Sequence, residues 1–255
     1  MRALELAAAI GGGSLRIVDL TTPLTADTPV IQLPAPFANT PGFRLEEISR
    51  FDEAGPDWYW NAIHTGEHVG THLDAPIHWR TGAGGLDVAR IPLEHLFAPV
   101  VVIDVSERCD ADPDFLLQIE DVRAWQKQHG ELPAGSWLLL RTGWETRAGT
   151  AQFLNIDEAG SHTPGISSEC AGWLAHESLI RGVGVETVGT DAGGASGFDV
   201  PMPCHALLLG ADKYGLTQLR NLGSLPPTGA VIVIAPLPIV DGSGSPARAF
   251  ALVDA

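Results

Sequence analysis

Residues 68 to 78 read His68-Val69-Gly70-Thr71-His72-Leu73-Asp74-Ala75-Pro76-Ile77-His78, placing three of the chain's nine histidines and one carboxylate within eleven positions. Neutral imidazole and carboxylate are the ordinary protein ligands of zinc, manganese and iron, so together these residue types point to capture of a divalent cation. All four candidates fall on even positions, whereas the odd positions hold Val69, Thr71, Leu73, Ala75 and Ile77. An extended segment would therefore show one chemical face and one mostly apolar face. Along a strand, residues two apart lie roughly 6.6 Å apart on one side, so His72 and Asp74 can converge on one ion. His68 and His72 would lie roughly 13 Å apart, too far to share a cation at about 2.0–2.2 Å per bond. The chain must bend between them, and Gly70 permits a bulge or a positive φ. A helical turn over 68–72 would instead stack the two imidazoles at i and i+4. Pro76 opposes one helix through the whole stretch, because its ring would strike the carbonyl of His72. Either geometry makes His68, His72 and Asp74 the metal ligands and leaves His78, past the proline, free for other work. A lone histidine is more often a surface or core residue than a ligand; this density of ligand types reverses the expectation.

Other candidates are weaker by themselves. Trp58, Tyr59 and Trp60 lead into the ligand stretch and Trp79 follows it. Trp58, Trp60 and Trp79 suit the aromatic wall of a pocket for a flat substrate, though a tryptophan is as often core. His205 alone reads as a core or surface histidine, and Glu67 as a solvated carboxylate. No Gly-x-Ser-x-Gly elbow supports a serine triad. Gly182-Val183-Gly184 lacks the third glycine of a dinucleotide fingerprint.

The order His-x-Gly-Thr-His-x-Asp-x-Pro-x-His, with every fixed position filled between His68 and His78, resembles the signature of the cyclase family of metal-dependent hydrolases, which includes bacterial kynurenine formamidase and isatin hydrolase. The resemblance covers nearly the whole chain, including Val188-Gly189-Thr190-Asp191, the segment around His205, and Gly242-Ser243-Gly244-Ser245-Pro246-Ala247-Arg248-Ala249. It implies the family's swivelling β/β/α fold and a homodimer or higher homo-oligomer. Relatives use a histidine in the position of His205 for a second metal or for substrate, and formamidase-like members add a glutamate twelve residues later. Thr217 stands there in this chain, followed by Gln218, and both are poor zinc ligands. The resemblance therefore implies one divalent metal, Mn2+ or Zn2+, with His205 a substrate hydrogen-bond donor and Gln218 a candidate proton relay. Trp58-Tyr59-Trp60-Asn61, Thr190-Asp191-Ala192-Gly193 and Pro226-Pro227-Thr228-Gly229-Ala230 look like the isatin-hydrolase branch. The implied reaction is hydrolysis of the lactam C–N bond of isatin or a similar small aromatic amide, with His78 as the base. Alternatives are an arylformamidase acting on N-formylkynurenine, a lactone or imide hydrolase, and a metal-binding protein without catalysis. A pure binding site has no need of a base such as His78.

The elements that must position these residues are short. Leu15 to Leu20 reads as a strand, 23–42 as an irregular proline-rich segment, Phe43 to Arg50 as a strand and Asp52 to Pro56 as a turn. Pro92 to Phe97 is a short helical piece, and Pro99 to Val105 and Ser136 to Thr142 are buried strands by their continuous apolar content. Ile119 to His129 has helical spacing on Ile119, Val122 and Trp125. Gly143 to Gly165 is irregular. Ser167 or Ser168 caps a second helix, Val183 to Thr190 is a strand, and Ala230 to Ala235 and Ala247 to Val253 are two more. These runs predict one α/β domain over 1–255, with a mixed sheet and few short helices.

The 255 residues are 45% hydrophobic and 18% charged, enough for a sizeable core. The net charge of −16, from 15 basic and 31 acidic residues, repels a phosphate backbone and argues against a nucleic-acid partner. No basic amphipathic stretch suggests a membrane surface, and no apolar run approaches the ~18–20 residues that span a bilayer. Cys109, Cys170 and Cys204 form neither a disulfide framework nor a Cys-x-x-Cys site, which fits a reducing cytoplasm. Met1 to Gly13 has an apolar run broken by Glu5, too short for a secretory signal.

Overall fold

The apolar runs set the sheet. The computed structural model describes residues 3–255, so Met1 and Arg2 of the Met1–Gly13 segment lie outside the described residues. Helix α1 (Ala3–Gly11), which buries no side chain, precedes strand β1 (Leu15–Asp19). After the irregular segment come β2 (Arg44–Asp52) and β3 (Gly55–His64), paired antiparallel as a separate ribbon. Then follow β4 (His72–Asp74), helix α2 (Leu93–Leu96), β5 (Phe97–Asp104), helix α3 (Ser106–Ala111), β6 (Leu116–Leu117), helix α4 (Ile119–His129) and β7 (Trp137–Arg141). The excursion over 143–165 folds as 3-10 turns and a small hairpin of β8 (Ile156–Asp157) with β9 (Gly160–Ser161). Strand β10 (Gly165–Ile166), helix α5 (Ser168–His176), β11 (Gly182–Val185), β12 (Tyr214–Thr217), β13 (Ala230–Pro236) and β14 (Gly244–Asp254) complete the chain.

Eight strands form one mixed sheet in the order β1-β14-β13-β5-β7-β11-β12-β4, and β4 pairs back onto β14. That last pairing closes the sheet into a barrel-like arrangement. The pairs β5–β7, β7–β11 and β11–β12 are parallel; those of β14 with β1, β13 and β4, of β13 with β5 and of β4 with β12 are antiparallel.

Two cores lie on opposite faces of these strands. Trp137 and Leu139 pack with Leu73, Leu216, Ile232 and Ala249, while Leu138 and Leu140 pack with Val122, Trp125, Cys170 and Leu174 of helices α4 and α5. Alternation across a strand buried on both faces explains why its run is continuously apolar. Each such buried side chain contributes about 1.5–3 kcal/mol. Helix α4 buries Ile119, Val122 and Trp125, the spacing read in the sequence, and Trp125 Nε1 donates to the Val102 carbonyl at 2.8 Å. Ser167 caps α5 by accepting from the Cys170 amide. The strand expected over Val183 to Thr190 stops at Val185. Its neighbour β12 ends at Thr217, where Gln218, with φ 53°, turns the chain out of the regular ladder, although the Gln218 and Leu219 amides still donate to the Thr187 and Val185 carbonyls. Among the described residues no helix is long and apolar enough to cross a membrane.

Candidate metal centre

Three residues of β4 set the centre. Leu73 enters the barrel core, so His72 and Asp74 face the other side. The antiparallel partners of Asp74 are Gly215 on β12 and Gly244 on β14. A Cβ at Gly215 would meet Asp74 Oδ2 at 2.7 Å, and one at Gly244 would meet His68 Cε1 at 2.6 Å. Glycine on both flanking strands is what leaves room for the carboxylate and the imidazole.

Gly70 makes the bend, with φ +65°, and brings the His68 and His72 rings to a centroid separation of 5.2 Å. His68 Nδ1 lies 2.8 Å and His72 Nε2 3.3 Å from the same atom, Asp74 Oδ1. His72 Nδ1 lies 2.8 Å from the Gly70 carbonyl, which only accepts, so this nitrogen carries a proton. The Thr217 hydroxyl flanks the same ring at 2.9 Å. Pro76 opens a 3-10 turn (Pro76–His78) rather than extending a helix, and this turn stacks His78 on His68 with centroids 3.8 Å apart. Ligand atoms of His68, Asp74 and His78 lie within 4.8 Å of one another, a group that could hold a metal ion. His78, expected as a nearby base rather than a ligand, is thus close enough to His68 and Asp74 to share an ion with them.

Electrostatics follow from burial in this cluster. Burial alone would raise the Asp74 carboxyl, but the imidazoles of His72 and His68 reverse that and hold it well below the usual carboxylate range. Burial pushes the His78 imidazole down to about 4; Asp74 opposes this, and His68 and His205 add to it. His78 is neutral at pH 7, a weaker base than the ordinary imidazole assumed from sequence. His205 opens a short π-helical turn (Cys204–Leu208), 5.4 Å from His78 between ring centroids. Burial lowers His205, but the hydrogen bond and charge of Asp191 outweigh it and raise the imidazole above its ordinary value. Asp191 accepts from the Cys204 amide at 2.6 Å, the His205 amide at 3.2 Å and His205 Nδ1 at 2.5 Å.

The remaining candidates divide. Trp79 joins the cluster, half-buried and 4.9 Å from the His205 ring. Trp58 and Trp60 lie on the β2–β3 ribbon, 47% and 55% exposed, and pack edge-on against each other; among the described residues neither is in ring contact with the imidazole cluster. Among the described residues the ribbon's strands pair with each other and with no other strand. Gln218 is buried, but its side-chain amide donates to the Pro29 carbonyl at 3.3 Å and bonds to no imidazole among the described residues, so the relay expected of it lacks a contact. Glu67 is not the solvated group expected: it accepts from the hydroxyl of Ser243 at 2.5 Å and from its amide at 3.3 Å. Asp191, Glu67 and Ser243 are the site-adjacent residues that sequence reasoning missed. The quoted segments Thr190-Asp191 and Gly242-Ser243 were the only signal, and neither shows by itself what its side chain touches.

A family model described as "Putative cyclase" matches residues 18–192. The chain is 45% identical over 252 residues to isatin hydrolase of Roseibium aggregatum, covering 97% of this chain and 95% of that one. The crystal structure of an isatin hydrolase bound to the product analogue thioisatinate superposes with a TM-score of 0.96 at 44% identity, covering all of both chains. Kynurenine formamidase of Salinibacter ruber is 27% identical over 192 residues, 74% of this chain and 77% of that one. By the family match and these relatives, the chain belongs to the cyclase family.

Proposed function

We propose that this chain hydrolyses the lactam C–N bond of isatin, or of a close cyclic aryl amide, to a ring-opened carboxylate. The observation that carries the reading is 45% identity, over nearly the full chain, to an isatin hydrolase. His68, His72 and Asp74 would hold one divalent ion, and two imidazoles with a carboxylate suit Mn2+ or Zn2+. When bound, the ion supplies Lewis acidity, polarising the amide carbonyl and lowering the pKa of water at the site.

His78, kept neutral by burial, takes a proton from water as the water oxygen bonds to the carbonyl carbon. It returns that proton to the ring nitrogen as the C–N bond breaks, leaving an arylamine and a carboxylic acid, which gives up the water's second proton to solvent and becomes the carboxylate. His205, held by Asp191 through Nδ1, offers Nε2 as a donor to the carbonyl or the new carboxylate. Trp79 supports the aryl ring. A second reading has one observation in its favour: the grouping of His68, Asp74 and His78 within 4.8 Å would make His78 a ligand rather than the base.

We assign the β2–β3 ribbon to contact with a second copy of the chain. Leu45, Ile48, Phe51, Trp58, Tyr59, Trp60 and Ile63 are 42% to 68% exposed on it, an apolar surface of interface character. Three free, buried thiols suit a cytoplasmic setting.

Metal analysis of the purified protein, paired with assays on isatin and N-formylkynurenine, tests the function. The expected result is one divalent ion per chain and isatin ring opening that a chelator abolishes and added metal restores. Turnover of the formamide alone would transfer the protein to the arylformamidase class. Bound metal without turnover of either compound would make it a binding protein.

A further inference from the structure

The loop before β14 is moulded onto His68. Ser243 Oγ lies 2.8 Å from His68 Nε2 and donates its single hydroxyl proton to Glu67 Oε2 at 2.5 Å. With that proton committed, the Ser243 oxygen can only accept from the imidazole, so Nε2 carries a proton. The other nitrogen, Nδ1, faces Asp74 Oδ1 at 2.8 Å and His78 across the stack.

Backbone contacts hold Ser243 in place. Its amide donates to Glu67 Oε2 at 3.3 Å, its carbonyl accepts from the Ala75 amide at 2.9 Å, and the Gly242 carbonyl accepts from the Val88 amide at 3.0 Å. Gly244 next to it lacks the Cβ that would strike His68.

We propose that Glu67 and Ser243 are positioning residues that select the Nε2–H tautomer of His68 and so present Nδ1 as the lone pair for the metal. This rests on His68 being a ligand, as assigned above. A metal-bound histidine commonly donates its other N–H to a carboxylate or carbonyl, and removing that partner typically costs 10–100-fold in metal affinity. Here a hydroxyl stands between the imidazole and the carboxylate, so the carboxylate acts by fixing the direction of the hydroxyl.

The test is the Zn2+ affinity of the full chain, measured by competition with a chromogenic chelator. Ser243→Ala is expected to weaken binding about 10–100-fold, and Ser243→Thr to restore it. Glu67→Ala is expected to weaken binding although the hydroxyl remains, because a freed hydroxyl proton then points at Nε2. Glu67→Gln, whose amide oxygen still accepts, is expected to stay near wild type. In the zinc-loaded protein, proton NMR should show a slowly exchanging His68 Nε2–H resonance that Ser243→Ala loses. Wild-type affinity in both alanine variants, with His68→Ala losing the metal, would overturn the positioning role and leave the ligand intact. Undiminished affinity in His68→Ala would instead remove the ligand assignment itself. Glu67 is partly exposed, so its variants decide the matter should Ser243→Ala fail to fold.

Discussion

His78 is the residue on which the two readings of the centre part. Burial makes it neutral and poor at holding charge, which suits a transient proton carrier; its stack on His68 would put it within reach of an ion held there. His78→Ala is expected to keep full metal stoichiometry and to lose turnover by ~10²-fold or more, whereas His72→Ala should lose the metal. Metal analysis and kcat on the same samples check this, and loss of the ion from His78→Ala would make His78 a ligand. The four members of the cluster were legible because they fall within eleven residues. Asp191 and Ser243 were not, since their roles arise from contacts with His205 fourteen positions away and with His68 175 positions away. Nothing in the local text of an aspartate or a serine encodes such a partner.

At the scale of elements, buried strands such as β7 and the helix α4 declared themselves by continuous apolar content and by period, because packing dictates those patterns. The three-residue β4 and four-residue β12 are too short to show a period, and their strand character comes from the ladders on either side. Beside the β8–β9 hairpin, charge adds to the contacts that hold the segment. His162 Nδ1 lies 2.7 Å from Asp114 and Nε2 3.2 Å from Asp157. The Asp114 hydrogen bond, with its charge and that of Asp157, raises the imidazole above its ordinary value. A raised folded value means that the clamp contributes fully below the unfolded value, about 6.5. It is lost as pH rises through the folded value. Amide exchange over 155–163 is therefore expected to accelerate on going from pH 6 to pH 8 beyond the intrinsic increase. His162→Gln should remove that excess, and an unchanged excess in the variant would place the cause elsewhere.

For the whole molecule, the mixed sheet was readable from alternating strands and helices, but its closure was not, because it depends on β4 pairing with the sequence-distant β14. The pairing of β2 with β3 as a separate ribbon was not legible either, and its tryptophans are about half exposed. If a second copy covers that surface, the wild-type chain should run as a dimer or larger assembly in light scattering. Introducing charge by Phe51→Glu with Ile63→Glu should shift it toward the monomer while leaving the far-ultraviolet circular dichroism unchanged. A monomeric wild type would end the assignment.

The seam between β4 and β14 has a consequence for how the protein is made. A growing chain exposes its histidines and Asp74 on the ribosome well before Ser243 and Gly244, which flank them, have been synthesised. Pairing so distant in sequence forms late. A nascent polypeptide thus carries loose imidazoles without a finished cage, and loading with an ion belongs after β14 has been made and has paired with β4.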